Sequence, residues 1–260
     1  STGGWCSGGT PSNGSGDGMM IYPSGIALDV PDGVFYVTDG NNNRVQKFNL
    51  STGAVVGWIG RIGTTGGTCT AGVGAFTGGW CLGGTAQSSA ADGGFNGAKG
   101  LIIDPSAGLL YASDEWNHRV QKFNLTTGAF LGSSGATVVA RTTWTSPFSV
   151  ANASASGDGQ FANPSALALD SAGGILYAAD KSNHRVVKIN ASTGAFLGWI
   201  GGIASVGGTC TAGVGVFTGG WCTGGTAGSG TGDGMMQSPA GLAVDVANDF
   251  LYVADNGNSR

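Results

Sequence analysis

Four short stretches of this sequence are variants of one another: Gly25-Ile26-Ala27-Leu28-Asp29, Gly100-Leu101-Ile102-Ile103-Asp104, Ala166-Leu167-Ala168-Leu169-Asp170 and Gly241-Leu242-Ala243-Val244-Asp245. Their closing aspartates are spaced 75, 66 and 75 residues apart. Such a period confines the chain to folds in which one unit is stacked repeatedly, because a single unit leaves an apolar face uncovered.

Each stretch opens a longer repeat. A short turn leads to a second apolar run, such as Val34-Phe35-Tyr36-Val37 or Ile175-Leu176-Tyr177-Ala178. An aspartate follows (Asp39, Asp114, Asp180, Asp255), then a polar turn that ends in arginine (Arg44, Arg119, Arg185, Arg260). A third run, for example Val45-Gln46-Lys47-Phe48-Asn49, alternates apolar and polar residues and predicts a half-exposed strand. A turn ending in Thr-Gly precedes a fourth run, Ala54 to Ile59 or Ala195 to Ile200. Helical periodicity is absent. Glycine makes up 52 of the 260 residues, yet hydrophobic residues reach 41% and mean hydropathy is +0.11, so the glycines mark turns rather than disorder. Four short antiparallel strands per unit, repeated, predict an all-β protein of β-propeller type with four-stranded blades. The whole of 1–260 reads as a single propeller region, with units of approximately 1–60, 61–135, 136–201 and 202–260.

The residues 157–170 and 176–186 closely resemble the NHL repeat. The triplet that gives that family its name stands at Asn117-His118-Arg119 and Asn183-His184-Arg185, and is altered at Asn42-Asn43-Arg44 and Asn258-Ser259-Arg260. The resemblance covers all four units and implies a β-propeller, commonly six-bladed. It also brings enzymes into view: some NHL-like propellers are lyases acting on hydroxyglycine peptides or calcium-dependent lactonases, and others bind RNA.

Each unit carries an insertion beyond the roughly 40 residues a blade needs. Two insertions, 66–81 and 207–222, are nearly identical, with Val216 where the first has Ala75. Cys69 and Cys81 lie twelve residues apart, as do Cys210 and Cys222. The spacing predicts two local disulfides, each worth about 3 kcal/mol in the chain-entropy model, and hence an oxidising compartment. A zinc site falls short on ligand number; reduced thiols are the remaining alternative. Cys6 repeats the second half of this loop, so it is expected to be unpaired or intermolecular. The tryptophans before the cysteines, Trp5, Trp80 and Trp221, are expected to pack on the disulfides, with stacking on sugars as the alternative.

The sequence begins at Ser1 without methionine and stops at Arg260, before the third strand of its unit. About three and a half blades are therefore expected. The options are a segment of a longer chain, or copies that close a ring or join into a filament through open strand edges.

Candidate chemistry recurs with the blade. His118 and His184 occupy the same motif position, which favours a structural role over a catalytic one. Asp114 with Arg119, and Asp180 with Arg185, are expected to form charge-assisted hydrogen bonds across the turn; Asp39 with Arg44 and Asp255 with Arg260 repeat the motif. Aspartates between glycines, at Asp17, Asp158 and Asp233, suit turns; Ca2+ in the channel is conceivable for the family, but one carboxylate per loop is sparse. Asn13, Asn49, Asn124, Asn152 and Asn190 begin Asn-x-Ser/Thr sequons, candidates for glycosylation or simply for turns. No other catalytic or metal residues stand out, and no cofactor is expected. A net charge of −4 with dispersed basic residues argues against nucleic acid, and no apolar run is long enough for a membrane span. These features point to a non-catalytic secreted or cell-surface scaffold (the periplasm also fits), binding protein partners, copies of itself or glycans. The alternative is a carbohydrate-binding module, or a lyase- or lactonase-like enzyme whose site lies in blades outside these residues.

Overall fold

A computed structural model describes residues 4–5, 7, 10, 12–135, 143–144 and 154–260. Among them are sixteen strands and no α-helix. The first sheet runs β1 (Pro23–Asp29), β2 (Val34–Asp39), β3 (Arg44–Asn49), β4 (Val55–Thr64) and β5 (Thr85–Gln87), paired in that order. The second holds β6 (Ala98–Asp104), β7 (Leu109–Asp114), β8 (Arg119–Asn124) and β9 (Phe130–Gly135). The third repeats the first with β10 (Pro164–Asp170), β11 (Ile175–Asp180), β12 (Arg185–Asn190), β13 (Phe196–Ser205) and β14 (Thr226–Gly228). The fourth is a pair, β15 (Pro239–Asp245) and β16 (Phe250–Asp255). These antiparallel meanders are β-propeller blades.

Local chemistry explains the punctuation. The aspartate that closes the first strand of a blade turns the chain: Asp170 Oδ1 accepts the Gly173 N–H at 2.8 Å, and Asp29 and Asp245 do the same three residues on. After the second strand comes one turn of 3-10 helix, and the next residue is left-handed: Asn43 at φ 54°, His118 at 53°, His184 at 56°, Ser259 at 54°. Short polar side chains tolerate that conformation better than β-branched ones do, which accounts for Asn, His or Ser at this place in the repeat.

Chain contacts gather into two compact units, one built on Ser1–Asp114 and Gln121–Gly132, the other on Glu115–Val120 and Val150–Arg260. In the first, the core lies between blades: Ala27, Tyr36, Val45 and Ile59 from one sheet meet Leu101, Leu110 and Phe123 from the next. In the second, Ala168, Tyr177 and Val186 pack with Met236, Leu242, Leu251 and Val253. Burial on both faces alters one expectation. β3 is not half-exposed: Val45, Gln46 and Phe48 are all buried, and Gln46 meets its needs by donating to the Met19 carbonyl and to Asp39.

The insertion belongs to the blade it follows. β4 extends to Thr64, past the boundary expected at residue 60, and β5 returns from the cysteine loop to pair with it as a fifth strand. β13 and β14 repeat the arrangement.

Candidate functional site

The motif residues meet at one point per blade, buried in the first three. Asp39 and Arg44 are paired partners on β2 and β3, and Arg44 Nε donates to Asp39 Oδ2 at 2.9 Å with both side chains fully buried. Asn42 and Gln46 donate to the same carboxylate, as does the Ile21 N–H. In the third blade Arg185 Nε donates to Asp180 at 2.8 Å, and its other nitrogens donate to the carbonyls of Ser156, Gly157 and Gln160. Arg260 and Asp255 pair at 3.2 Å. In the second blade Asp114 accepts from the Asn96 N–H and from Gln121, and Arg119 is fully buried. The guanidinium of Arg44 lies over Trp58, and that of Arg185 over Trp199, each 5.8 Å from the ring centre. One arginine thus ties two strands to the loop that enters the blade. Its charge is consumed inside the blade.

The histidines reach outward. His118 Nδ1 accepts the Asn163 N–H at 3.0 Å, and His184 Nδ1 accepts the Ser238 N–H at 3.1 Å, in each case from the start of the following blade. Asn43 Oδ1 does the same for Gly97 at 3.0 Å. Accepting at Nδ1 requires the neutral ring, and burial holds the His118 pKa below its ordinary value.

The cysteine loops are closed by Cys69–Cys81 and Cys210–Cys222, each with Cα atoms 5.1 Å apart. The tryptophan on the first disulfide is not Trp80. Trp58, fully buried, packs with Cys69, Cys81 and Ile62, while its indole donates to the Gly83 carbonyl at 3.2 Å. Trp80 instead packs tilted against Tyr36 and donates through its indole to the Leu125 carbonyl of the next blade at 3.1 Å. Trp5 makes the equivalent bond to Leu50. Disulfide packing was therefore expected of the wrong tryptophans: the alternation of β4 turns Trp58 toward the loop, whereas Trp80 follows a glycine turn facing the neighbouring blade. The loop crosses itself closely. Gly84 has φ +65°, and a Cβ there would collide with the Thr64 carbonyl.

Asp17 accepts the Gly83 N–H at 2.8 Å, and Asp158 accepts that of Gly224. These glycine-flanked aspartates fasten the cysteine loops to the blade entrance. Among the described residues, no group of three or more His, Cys, Asp or Glu is placed to hold a metal ion.

Three sequon asparagines close turns. Asn49, Asn124 and Asn190 each accept the backbone N–H three residues on, at 2.8, 2.7 and 2.8 Å. Asn13 is exposed. Cys6 and Asn152 lie outside the described residues.

A feature the sequence reading missed is a lysine set against aromatics. Lys47 Nζ lies 5.5 Å from the centre of Tyr36 and 5.6 Å from that of Trp80; Lys122 covers Tyr111 at 5.9 Å, and Lys188 covers Trp221 at 5.3 Å. Burial lowers the Lys47 and Lys122 pKa values and pushes Tyr111 up to about 12, with Asp104 adding to the latter. The recurrence of lysine three residues after the motif arginine was the available signal.

At the tips of the cysteine loops Val73 and Val214 stand 67% and 65% exposed. They occupy the same position in two blades.

The family model of the NHL repeat matches residues 20–48, 161–189 and 236–260. The second unit is unmatched, yet β6 pairs with β7 in the register of the other blades, with Ala98 where they have Pro23, Pro164 and Pro239. No curated protein matches the chain. Among solved structures, an auxiliary nutrient binding protein from Bacteroides ovatus ATCC 8483 aligns with TM-score 0.51 and 14% identity over 93% of this chain and 47% of its own. One of the same description from Bacteroides thetaiotaomicron VPI-5482 aligns at 0.50 and 13%, over 92% of this chain and 46% of its own. A structural genomics protein of unknown function from the latter organism aligns at 0.50 and 17%, over 91% and 45%. This chain thus spans about half the length of the solved structures it matches. At such identities the likeness is one of fold.

Proposed function

We propose that this chain, which carries NHL repeats in β-propeller blades, is a non-catalytic extracellular scaffold that binds a protein partner through its disulfide-stapled loops. The observation that carries the reading is the pair of exposed valines, Val73 and Val214, held at equivalent loop tips. Each loop is fixed by its own disulfide and by an aspartate, Asp17 or Asp158, so little ordering entropy is lost on binding. Apolar side chains on rigid, otherwise polar loops suit a protein surface. The motif's acids and arginines support a non-catalytic role, because they are engaged inside the blades. The two local disulfides support an oxidising location outside the cytosol; no helix among the described residues is long and apolar enough to cross a membrane.

A small-molecule or glycan ligand is the second reading. It draws on the description of two fold neighbours as nutrient binding proteins and on the half-exposed Trp221. A protein array and a glycan array, probed with the chain and with a Val73→Asp/Val214→Asp variant, separate the two. The expected result is a protein partner lost with the double substitution while the circular dichroism spectrum stays unchanged. Glycan binding indifferent to the valines would favour the second reading. Turnover of a lactone or of a peptidyl hydroxyglycine above background would overturn both.

A further inference from the structure

We propose that Asn49, Asn124 and Asn190 are acceptors for N-linked glycans, added to the turn between the third and fourth strands of three blades. This rests on the extracellular part of the reading above.

Two turns of the repeat are closed in the same way. After the first strand, Asp29, Asp104, Asp170 and Asp245 accept the N–H three residues on, at 3.3, 3.1, 2.8 and 3.2 Å. After the third strand, Asn49, Asn124 and Asn190 accept the same bond at 2.8, 2.7 and 2.8 Å. One side-chain oxygen closes either turn, and aspartate supplies it as well as asparagine does. Yet the first turn has aspartate every time and the second has asparagine every time. The difference is the amide nitrogen.

That nitrogen does nothing for the turn. The bonds at Asn49, Asn124 and Asn190 all go to Oδ1; among the described residues Nδ2 has no partner. Nor is it among the buried polar atoms left without one, so it reaches solvent.

The hydroxyls divide in the same manner. Three residues after each asparagine, Thr52, Thr127 and Thr193 serve the fold, accepting the N–H of Ala54, Ala129 and Ala195 at 3.2, 3.3 and 3.2 Å. Two residues after it, Ser51, Thr126 and Ser192 are exposed. Ser51 donates to Asn49 Oδ1 at 2.8 Å, but the Thr126 hydroxyl makes no bond among the described residues, and its turn closes without it. The aspartate turns carry Pro31, Ser106, Ala172 and Ala247 at that place, so this turn type does not require a hydroxyl there. A free amide nitrogen with a hydroxyl two residues on is what an N-glycosyltransferase reads. The fold explains neither group, and both recur at all three turns.

In the transfer, Nδ2 forms a bond to the anomeric carbon of a saccharide carried on a lipid diphosphate. The anomeric carbon–oxygen bond breaks, the lipid diphosphate leaves with the electron pair, and one amide proton passes to a base of the transferase. Oδ1 keeps its turn bonds in the product. The glycan also stays clear of the cysteine-loop tip of its blade. Val73 lies at the far end of β4, where the Gly74 N–H donates to the Ile62 carbonyl, and Val214 lies likewise beside Ile203. From Val55 to Ile62 the strand rises about 20 Å.

The test begins with the chain purified from the organism that makes it. Peptide mass spectrometry follows release by an N-glycosidase in heavy-oxygen water, which turns each occupied asparagine into a labelled aspartate. Label is expected at Asn49, Asn124 and Asn190; its absence from all three would overturn the proposal. Alkylation in the same sample reads the thiols. Bare sequons with Cys69, Cys81, Cys210 and Cys222 oxidised would refute this inference alone, whereas free thiols would refute the extracellular location as well. A second arm uses unglycosylated protein. The variant Asn49→Asp/Asn124→Asp/Asn190→Asp should fold with the parent's thermal midpoint at pH 7, since only Oδ1 closes the turns. A lower midpoint, or failure to fold, would show that the amide serves the fold and would overturn the proposal. Thr126→Ala should keep the midpoint too, and in the source organism should abolish the label at Asn124; label that persisted there would count against the proposal.

Discussion

His118 carries a pH response. Its backbone is left-handed at φ 53°, which aims the ring toward the following blade, where Nδ1 accepts the Asn163 N–H. Burial holds its pKa below the ordinary value. The unfolded chain therefore takes up a proton below about pH 6.5 while the folded chain resists it. The stabilisation is fully present above that pH and is lost as pH falls toward the depressed folded pKa. Asparagine at the equivalent position, Asn43, accepts the Gly97 N–H without titrating. His118→Asn should keep the clasp and flatten the decline in urea midpoint between pH 7.5 and 5 relative to the parent chain. Identical slopes in the two proteins would sink the idea. The sequence showed that His118 and His184 recur and are structural candidates. It could not show that they join consecutive blades, because the donor lies 45 to 54 residues away and carries no side-chain signature: it is the bare N–H of Asn163 or Ser238.

Among elements, the strands were legible and the insertions were not. Apolar runs between aspartate and glycine turns mark β1 to β4 clearly, because alternation and turn chemistry are local. The fifth strand, β5, is three residues long and carries no pattern of its own; it exists because Cys69–Cys81 folds the loop back onto β4. The same geometry buries Trp58, whose role was invisible beside the more obvious Trp80. Replacing both Cys69 and Cys81 by Ser should therefore do more than relax a surface loop. It frees a chain closure worth about 3 kcal/mol and loosens the packing over Trp58. The expected readout is a lower thermal midpoint with red-shifted tryptophan emission, reproduced by reductant in the parent chain. An unchanged midpoint would show that Asp17 and the glycine crossing alone hold the loop.

At the scale of the molecule, stability is distributed blade by blade. Every sheet with a complete second and third strand has its own buried acid and arginine, and the apolar core runs between neighbouring blades within each unit rather than through one common centre. In such arrays stability approximates a sum of unit and nearest-neighbour terms. Removing one arginine leaves its carboxylate buried without its cation, a loss of about 3–5 kcal/mol for a fully buried pair. In Arg185→Ala the damage extends past Asp180, since Ser156, Gly157 and Gln160 lose the donors that fix the entrance of the third blade. Asp158, carried on that entrance, would then release the Gly224 N–H of the second cysteine loop. Native-state hydrogen exchange should accordingly show faster exchange across β10 to β14 and at Gly224, with β1 to β5 retaining their protection. If protection fell equally in β1 to β5, the blades would unfold as one cooperative body, and the arginine in each would be a contributor to a global core rather than the lock of its own sheet.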